Sequence, residues 1–242
     1  MKRTKKKATS KAKTAGSPLT KETFAFFAAL ARNNRKEWMD ANRERYQECV
    51  VAPMRALLEA LAPAIRELDE ELVITGRTNE NFSRINRDIR FAKDKTPYHT
   101  RIYLKVQEAG DGERAQLYVG ISREVATAGF RIYGGSKIKD SALYKFGIQR
   151  ALANPDWVAA QQRRLGKKYE SYWHSMEKGE WTKNASWPGT AEEWSGVRAW
   201  IVRRVMNPSD AMRGDFVNEV AKIFRDLHPL ARFASGKSWK AK

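Results

Sequence analysis

The hydrophobic period changes twice along this chain, and the order of those changes limits its fold more than any other feature. From Thr20 to Leu68 apolar residues recur at helical spacing. Phe24, Phe27, Ala28 and Ala31 share one face, and Leu57, Leu61, Ala64, Ile65 and Leu68 repeat at three- and four-residue steps. After Glu71 the period shortens. Residues 100–107, 115–122 and 125–133 alternate as strands, separated by turn residues such as Gly110-Asp111-Gly112. Beyond Gly134-Gly135 the helical period returns. Helices, a central antiparallel β-meander and C-terminal helices form an α+β single domain, not the alternating order that builds a parallel sheet.

Local signals set the expected boundaries. Thr20 is placed to cap the first helix, with Leu19 and Phe24 spaced as a hydrophobic staple. Asn33-Asn34 ends that helix, and Glu37 three residues after Asn34 predicts a capping box for the next. Pro53 either kinks the second helix or opens a fresh one at its first turn. Leu72-Val73-Ile74-Thr75 reads as a short β-prone stretch ending at Gly76. Helices are predicted through Leu143–Ala151 and from Asn154-Pro155 to Leu165. Residues 169–200, rich in Trp and broken by Gly179, Pro188 and Gly196, give no clear local signal. Their tryptophans read as anchors that dock an irregular segment on the core; interleaved with Lys178, Lys183, Arg198, Arg203 and Arg204, they read alternatively as a stacking platform for bases or sugars. A last helix carries Phe216, Val220, Ile223, Phe224 and Leu227, and His228-Pro229 is expected to terminate it. The domain is thus expected at 20–235, between a disordered basic tail at 1–19 and a short C-terminal tail at 236–242.

The chain carries a formal charge of +18, from 46 Lys and Arg against 28 Asp and Glu. Residues 1–20 hold seven bases and no acid, so the tail accounts for +7. Such an arm can neutralise phosphates, which predicts non-specific nucleic-acid binding through residues 2–13; a merely solubilising extension reads equally well. No stretch reaches the roughly 18 apolar residues that a spanning helix needs, and the N-terminus lacks the apolar run of a secretory signal. Cys49 is the only cysteine, and His99, His174 and His228 are the only histidines. Neither a disulfide framework nor a metal centre is expected, no cofactor is called for, and a reduced, cytoplasmic protein without a membrane partner is the expectation.

The densest chemistry is the string SRINRDIRFAKDKTPYHT, residues 83–100. Between positions 84 and 105 seven bases face only Asp88 and Asp94. Arg84, Arg87 and Arg90 recur every third residue, so a helical turn would bring Asp88 within reach of Arg84. As a strand, the same residues place Ile85, Arg87, Ile89 and Phe91 on one face. Arg forks hold carboxylate or phosphate bidentately and Lys adds a point charge, which makes Arg84, Arg87, Arg90, Lys93 and Lys95 candidate anion ligands. Asp88 and Asp94 would orient them, and Pro97 fixes the approach of Tyr98. The same string also reads as a structural network of Arg–Asp pairs locking one element to another.

That string, together with the F-x-F-F-x-x-L-x-x-N-N-x-x-E-W stretch at residues 24–38 and the later Asp-Leu-His-Pro-Leu-x-x-Phe, resembles the DUF2461 family of conserved hypothetical proteins. The likeness touches residues from about 20 to 233. It rests on Asn34, Trp38, Arg84, Arg87, Asp88, Arg90, Phe91, Lys93, Asp94, Lys95, Pro97 and Tyr98. His99 stands where the pattern leads one to expect Lys, and segment 166–200 is less typical. The resemblance implies no particular activity.

The expectation is therefore a binding module for an anionic ligand bearing phosphate or carboxylate, with Arg84, Arg87, Asp88, Arg90, Lys93, Asp94, Lys95 and Tyr98 as its site. The alternative is a hydrolase- or transferase-type enzyme in the same pocket, with Asp88, Asp94 or Tyr98 transferring protons.

Overall fold

The computed structural model describes residues 16–110, 114–135, 137–236 and 239–240, so the predicted basic tail falls almost wholly outside the described residues. Helices α1 (Lys21–Arg32), α2 (Lys36–Ala41) and α3 (Arg43–Tyr46) lead through a π-helical turn, Gln47–Val51, into α4 (Ala52–Leu68). Pro53 sits in the first turn of α4, directly after the π-helical turn, and Val51 and Ala52 before it are already helical. The apolar stripe of α4 is the one its spacing predicts, with Leu57, Leu61 and Ile65 all buried.

The meander also forms as expected. Strands β1 (Arg101–Val106), β2 (Gln116–Ser122) and β3 (Ala126–Tyr133) pair antiparallel in sequence order. A 3₁₀ turn at Ile138–Asp140 and a π-helical turn at Leu143–Ile148 follow. Then come α5 (Gln149–Ala153), α6 (Pro155–Leu165), β4 (Glu170–Glu177), β5 (Glu180–Ala185), α7 (Ala191–Gly196), β6 (Ala199–Met206), α8 (Pro208–Ala211) and α9 (Phe216–Ser235). The six strands form one antiparallel sheet of order β1-β2-β3-β6-β4-β5. One face packs under α9, with α1 and α4 alongside, and buries Leu104, Val119, Phe130, Trp200 and Val202.

Four local expectations are corrected. The residue that caps α2 is Arg35, not Asn34, because the Asn34 amide is engaged elsewhere. Residues 72–75 form no regular strand; Leu72 makes an isolated bridge with Glu108. The uncertain segment 169–200 contributes β4, β5 and the start of β6, while Trp173, Trp187, Trp194 and Trp200 do dock on the core and only Trp181 stands out. Helix α9 continues through Pro229 to Ser235. A proline inside a helix costs about 3 kcal/mol. Burying Leu230 and Phe233 beyond it returns roughly 2 kcal/mol each, so the helix gains by continuing. His228 therefore lies mid-helix, where Nε2 meets Asp69 Oδ2 at 3.0 Å.

Candidate anion-binding cleft

The motif segment adopts neither a helix nor one flat strand. Residues 81–87 run back along 97–105 as a two-stranded arm held by backbone bonds. Lys105 N–H donates to Asn81 O (2.8 Å), Ser83 N–H to Tyr103 O (2.9 Å), His99 N–H to Ile85 O (2.7 Å) and Arg87 N–H to Pro97 O (2.8 Å). Between the Ser83 and Ile85 pairings the register slips, so residues 100–102 stand opposite Arg84. Such a bulge re-aims a side chain.

Two asparagines anchor the arm. Buried Asn81 accepts from the N–H groups of Thr75 (2.8 Å) and Gly76 (2.9 Å) and donates to Val73 O (2.7 Å) and Lys105 O (3.0 Å). Asn34, at the end of α1, clasps the backbone of Tyr98. Its Nδ2 donates to Tyr98 O at 2.8 Å and its Oδ1 accepts from Tyr98 N–H at 3.0 Å.

Beyond Arg87 the arm closes in a tip that pairs its two arginines with its two aspartates. Arg87 Nη1 donates to Asp94 Oδ2 (2.6 Å), to Thr96 O (2.9 Å) and to the Thr96 hydroxyl. The Thr96 backbone N–H and hydroxyl, and then Arg87, hold the Asp94 carboxyl below its usual range. Asp88 pairs not with Arg84 but with Arg90, whose Nε (3.0 Å) and Nη2 (2.7 Å) grip its two oxygens; that fork lowers the Asp88 pKa. Lys95 Nζ donates to Ile89 O at 3.0 Å, closing the loop. Ile85 is buried, but Phe91 is 96% exposed, so the face that a strand reading gives to both does not exist.

Tyr98 leaves the tip altogether. Its ring is buried, and its hydroxyl neighbours Arg43. Asp88, Asp94 and Tyr98 are thus held by three separate sets of partners rather than brought to one point.

Arg84 has a different fate from the rest of the motif. It lines a cleft of about 490 Å³ between the arm and the helices. Phe82, Ser83, Ile85, Asn86 and Ile102 form one wall, with Thr78 above. Tyr46, Gln47, Val51, Met54 and Arg55 form the other. The π-helical turn shapes this second wall; such turns recur at functional sites. Among the described residues the Arg84 and Arg55 side chains have no hydrogen bond or ion pair, and no carboxylate lines the cleft. Burial pushes the Tyr46 hydroxyl up to about 12, so it remains a donor. The lining therefore offers two uncommitted guanidinium groups, hydroxyls and side-chain amides.

Sequence reasoning missed Arg55, Gln47 and Tyr46. A signal for two of them exists in the four-residue spacing of Gln47, Val51 and Arg55, but the motif drew attention to one wall only. A search of curated proteins returns no match. A family model described as a conserved hypothetical protein, DUF2461, matches residues 22–233, which take in both walls of the cleft, the arm and the sheet. The chain belongs to the DUF2461 family.

Proposed function

We propose that this chain is a cytoplasmic binding module for a small anionic ligand, held in the cleft between the arm and the π-helical turn. The observation that carries this reading is the pair of guanidinium groups, Arg55 and Arg84, that among the described residues have no partner and share a cleft without a carboxylate. Both side chains are solvent-exposed at the mouth of the cleft, and a phosphate or carboxylate would give them a partner with bidentate geometry. The volume lies in the range typical of small-molecule sites, about 300–1,000 Å³. Arg87, Arg90 and Lys95 serve the site indirectly. With Asp88 and Asp94 they fix the tip that continues the Arg84 wall, while Lys93 stands exposed at that tip.

The test is thermal unfolding with inorganic phosphate, pyrophosphate and citrate as probes. A ligand at a hundred times its Kd stabilises by about 2.7 kcal/mol. The wild-type midpoint rises with at least one probe. Arg84→Ala and Arg55→Ala keep the ligand-free midpoint and lose the rise. An Arg84→Ala protein that still responds like wild type overturns the assignment.

A further inference from the structure

We propose that the sheet face turned away from α9 is a platform for single-stranded nucleic acid, a site separate from the cleft. The register defines this face. Tyr103, Gly120 and Thr127 stand side by side across β1, β2 and β3, as do Arg131, Ile201 and Tyr172 across β3, β6 and β4, while their chain neighbours point into the core. It is exposed around its rim, at Arg101, Tyr133, Met176, Trp181, Lys183 and Val205, while Tyr118, Thr127 and Ile201 at its centre are buried.

Its chemistry is one-sided. Arg101, Lys105, Arg131, Lys183 and Arg203 are its cations. Among the described residues of its strands Glu170 is its one carboxylate, already bound to Arg203 at 2.8 Å. The cations interleave with rings. The Arg131 guanidinium lies 4.2 Å from the Tyr103 ring centre and 4.5 Å from that of Tyr118, and its Nε donates to Gln116 Oε1 at 2.9 Å. Across the sheet Lys183 Nζ sits 4.2 Å over Tyr172, with Arg203 at 5.1 Å. The Tyr103 ring occupies the space that a Cβ at Gly120 would need, 2.6 Å from it, so the glycine lets the aromatic layer lie flat on the sheet.

Rings and guanidinium planes set among cations are what an unpaired nucleic-acid strand requires. Bases stack on the planes and phosphates meet the positive groups. Tyr133, 38% exposed, and Trp181, 57% exposed, are the rings free to take a base. A duplex keeps its bases stacked inside and offers these rings nothing. An acidic protein surface would match the charge but would not use the rings.

The experiment measures fluorescence anisotropy with the full chain at near-physiological salt. The probes are fluorescein-labelled oligouridylate and oligothymidylate of about twelve nucleotides, within the usual span of a single-strand site. The full chain binds at least one strand more tightly than a duplex of the same length. Trp181→Ala and Tyr133→Ala each weaken binding by about tenfold, the effect of one lost base stack, without changing the melting midpoint. Lys183→Ala lowers the salt slope by about one, and Arg84→Ala leaves binding untouched. A preference for either strand chemistry supports the platform and names RNA or DNA as its partner. Absent binding, duplex bound as tightly, aromatic variants equal to wild type, displacement by polyglutamate as effective as by unlabelled strand, or loss through Arg84→Ala would each overturn it.

Discussion

Arg84 and Arg87 lie three residues apart on one arm, yet they belong to different regimes. Arg87 is consumed by Asp94 and Thr96, and Arg90 by Asp88, so both arginines of the tip are spent on its own acids. Arg84 has no counter-ion among the described residues and shares its cleft with Arg55, contributed by the opposite wall. The difference teaches that cation density along a sequence does not measure capacity for an anion. What counts is the charge left over after folding. The acids that make the motif look like a site are those that withdraw two of its arginines, Arg87 and Arg90, from service.

The comparison can be broken or sharpened at three points. The largest effect is expected where both regions share a root. Asn34→Ala removes both bonds to the Tyr98 backbone and leaves a part-buried N–H and C=O unpaired. Denaturant unfolding should show a loss of about 2–3 kcal/mol, with the phosphate response weakened as the arm loosens. A smaller effect is expected at the tip. Arg87→Ala should cost about 1 kcal/mol and speed proteolysis between residues 88 and 96, while the phosphate-dependent rise in melting midpoint persists. Arg90→Ala, in an exposed pair, should leave the midpoint unchanged. If Arg90→Ala abolished the phosphate response as fully as Arg84→Ala, the distinction between tip and cleft would collapse.

The smallest effect concerns His99, at the junction. Burial, then the nearby charges of Arg87 and Arg101, hold its imidazole below the usual 6.5. The folded chain therefore binds that proton less readily than the unfolded chain. The stability His99 contributes is complete above pH 6.5 and is lost as pH falls from there through its folded pKa. An NMR titration of the His99 ring should show the lowered pKa, and Arg87→Ala should move it back upward. An unshifted ring would separate His99 from the tip.

The elements that sequence made legible are those whose patterning is local. Leu57, Leu61 and Ile65 declare a helix because one face of α4 is buried and the other is wet. Residues 101–106 declare a strand for the same reason, alternating Ile102, Leu104 and Val106 inward. Strands β4 and β6 were not legible. β6 carries Ile201 and Trp200 on opposite faces, both buried, and β4 places Tyr172 and His174 outward where a polar residue would mark the period. When both faces of a strand carry rings, the two-residue signal disappears. Pro229 misled in the opposite way. Its local cost is real, but the burial that overrides it comes from contacts of Leu230 and Phe233 that the local sequence does not display.

The candidate site divides along the same line. Sequence by itself determined the α+β order, the membership signalled by residues 83–100 and the local excess of cations, because each is a property of neighbouring residues. Tertiary structure alone decided which cations remain free. It paired Asp88 with Arg90 across two residues and Asp94 with Arg87 across seven, and it set Arg55 of α4 opposite Arg84. Charge compensation acts over a few ångströms in space, so only the folded chain settles which guanidinium groups still lack a partner.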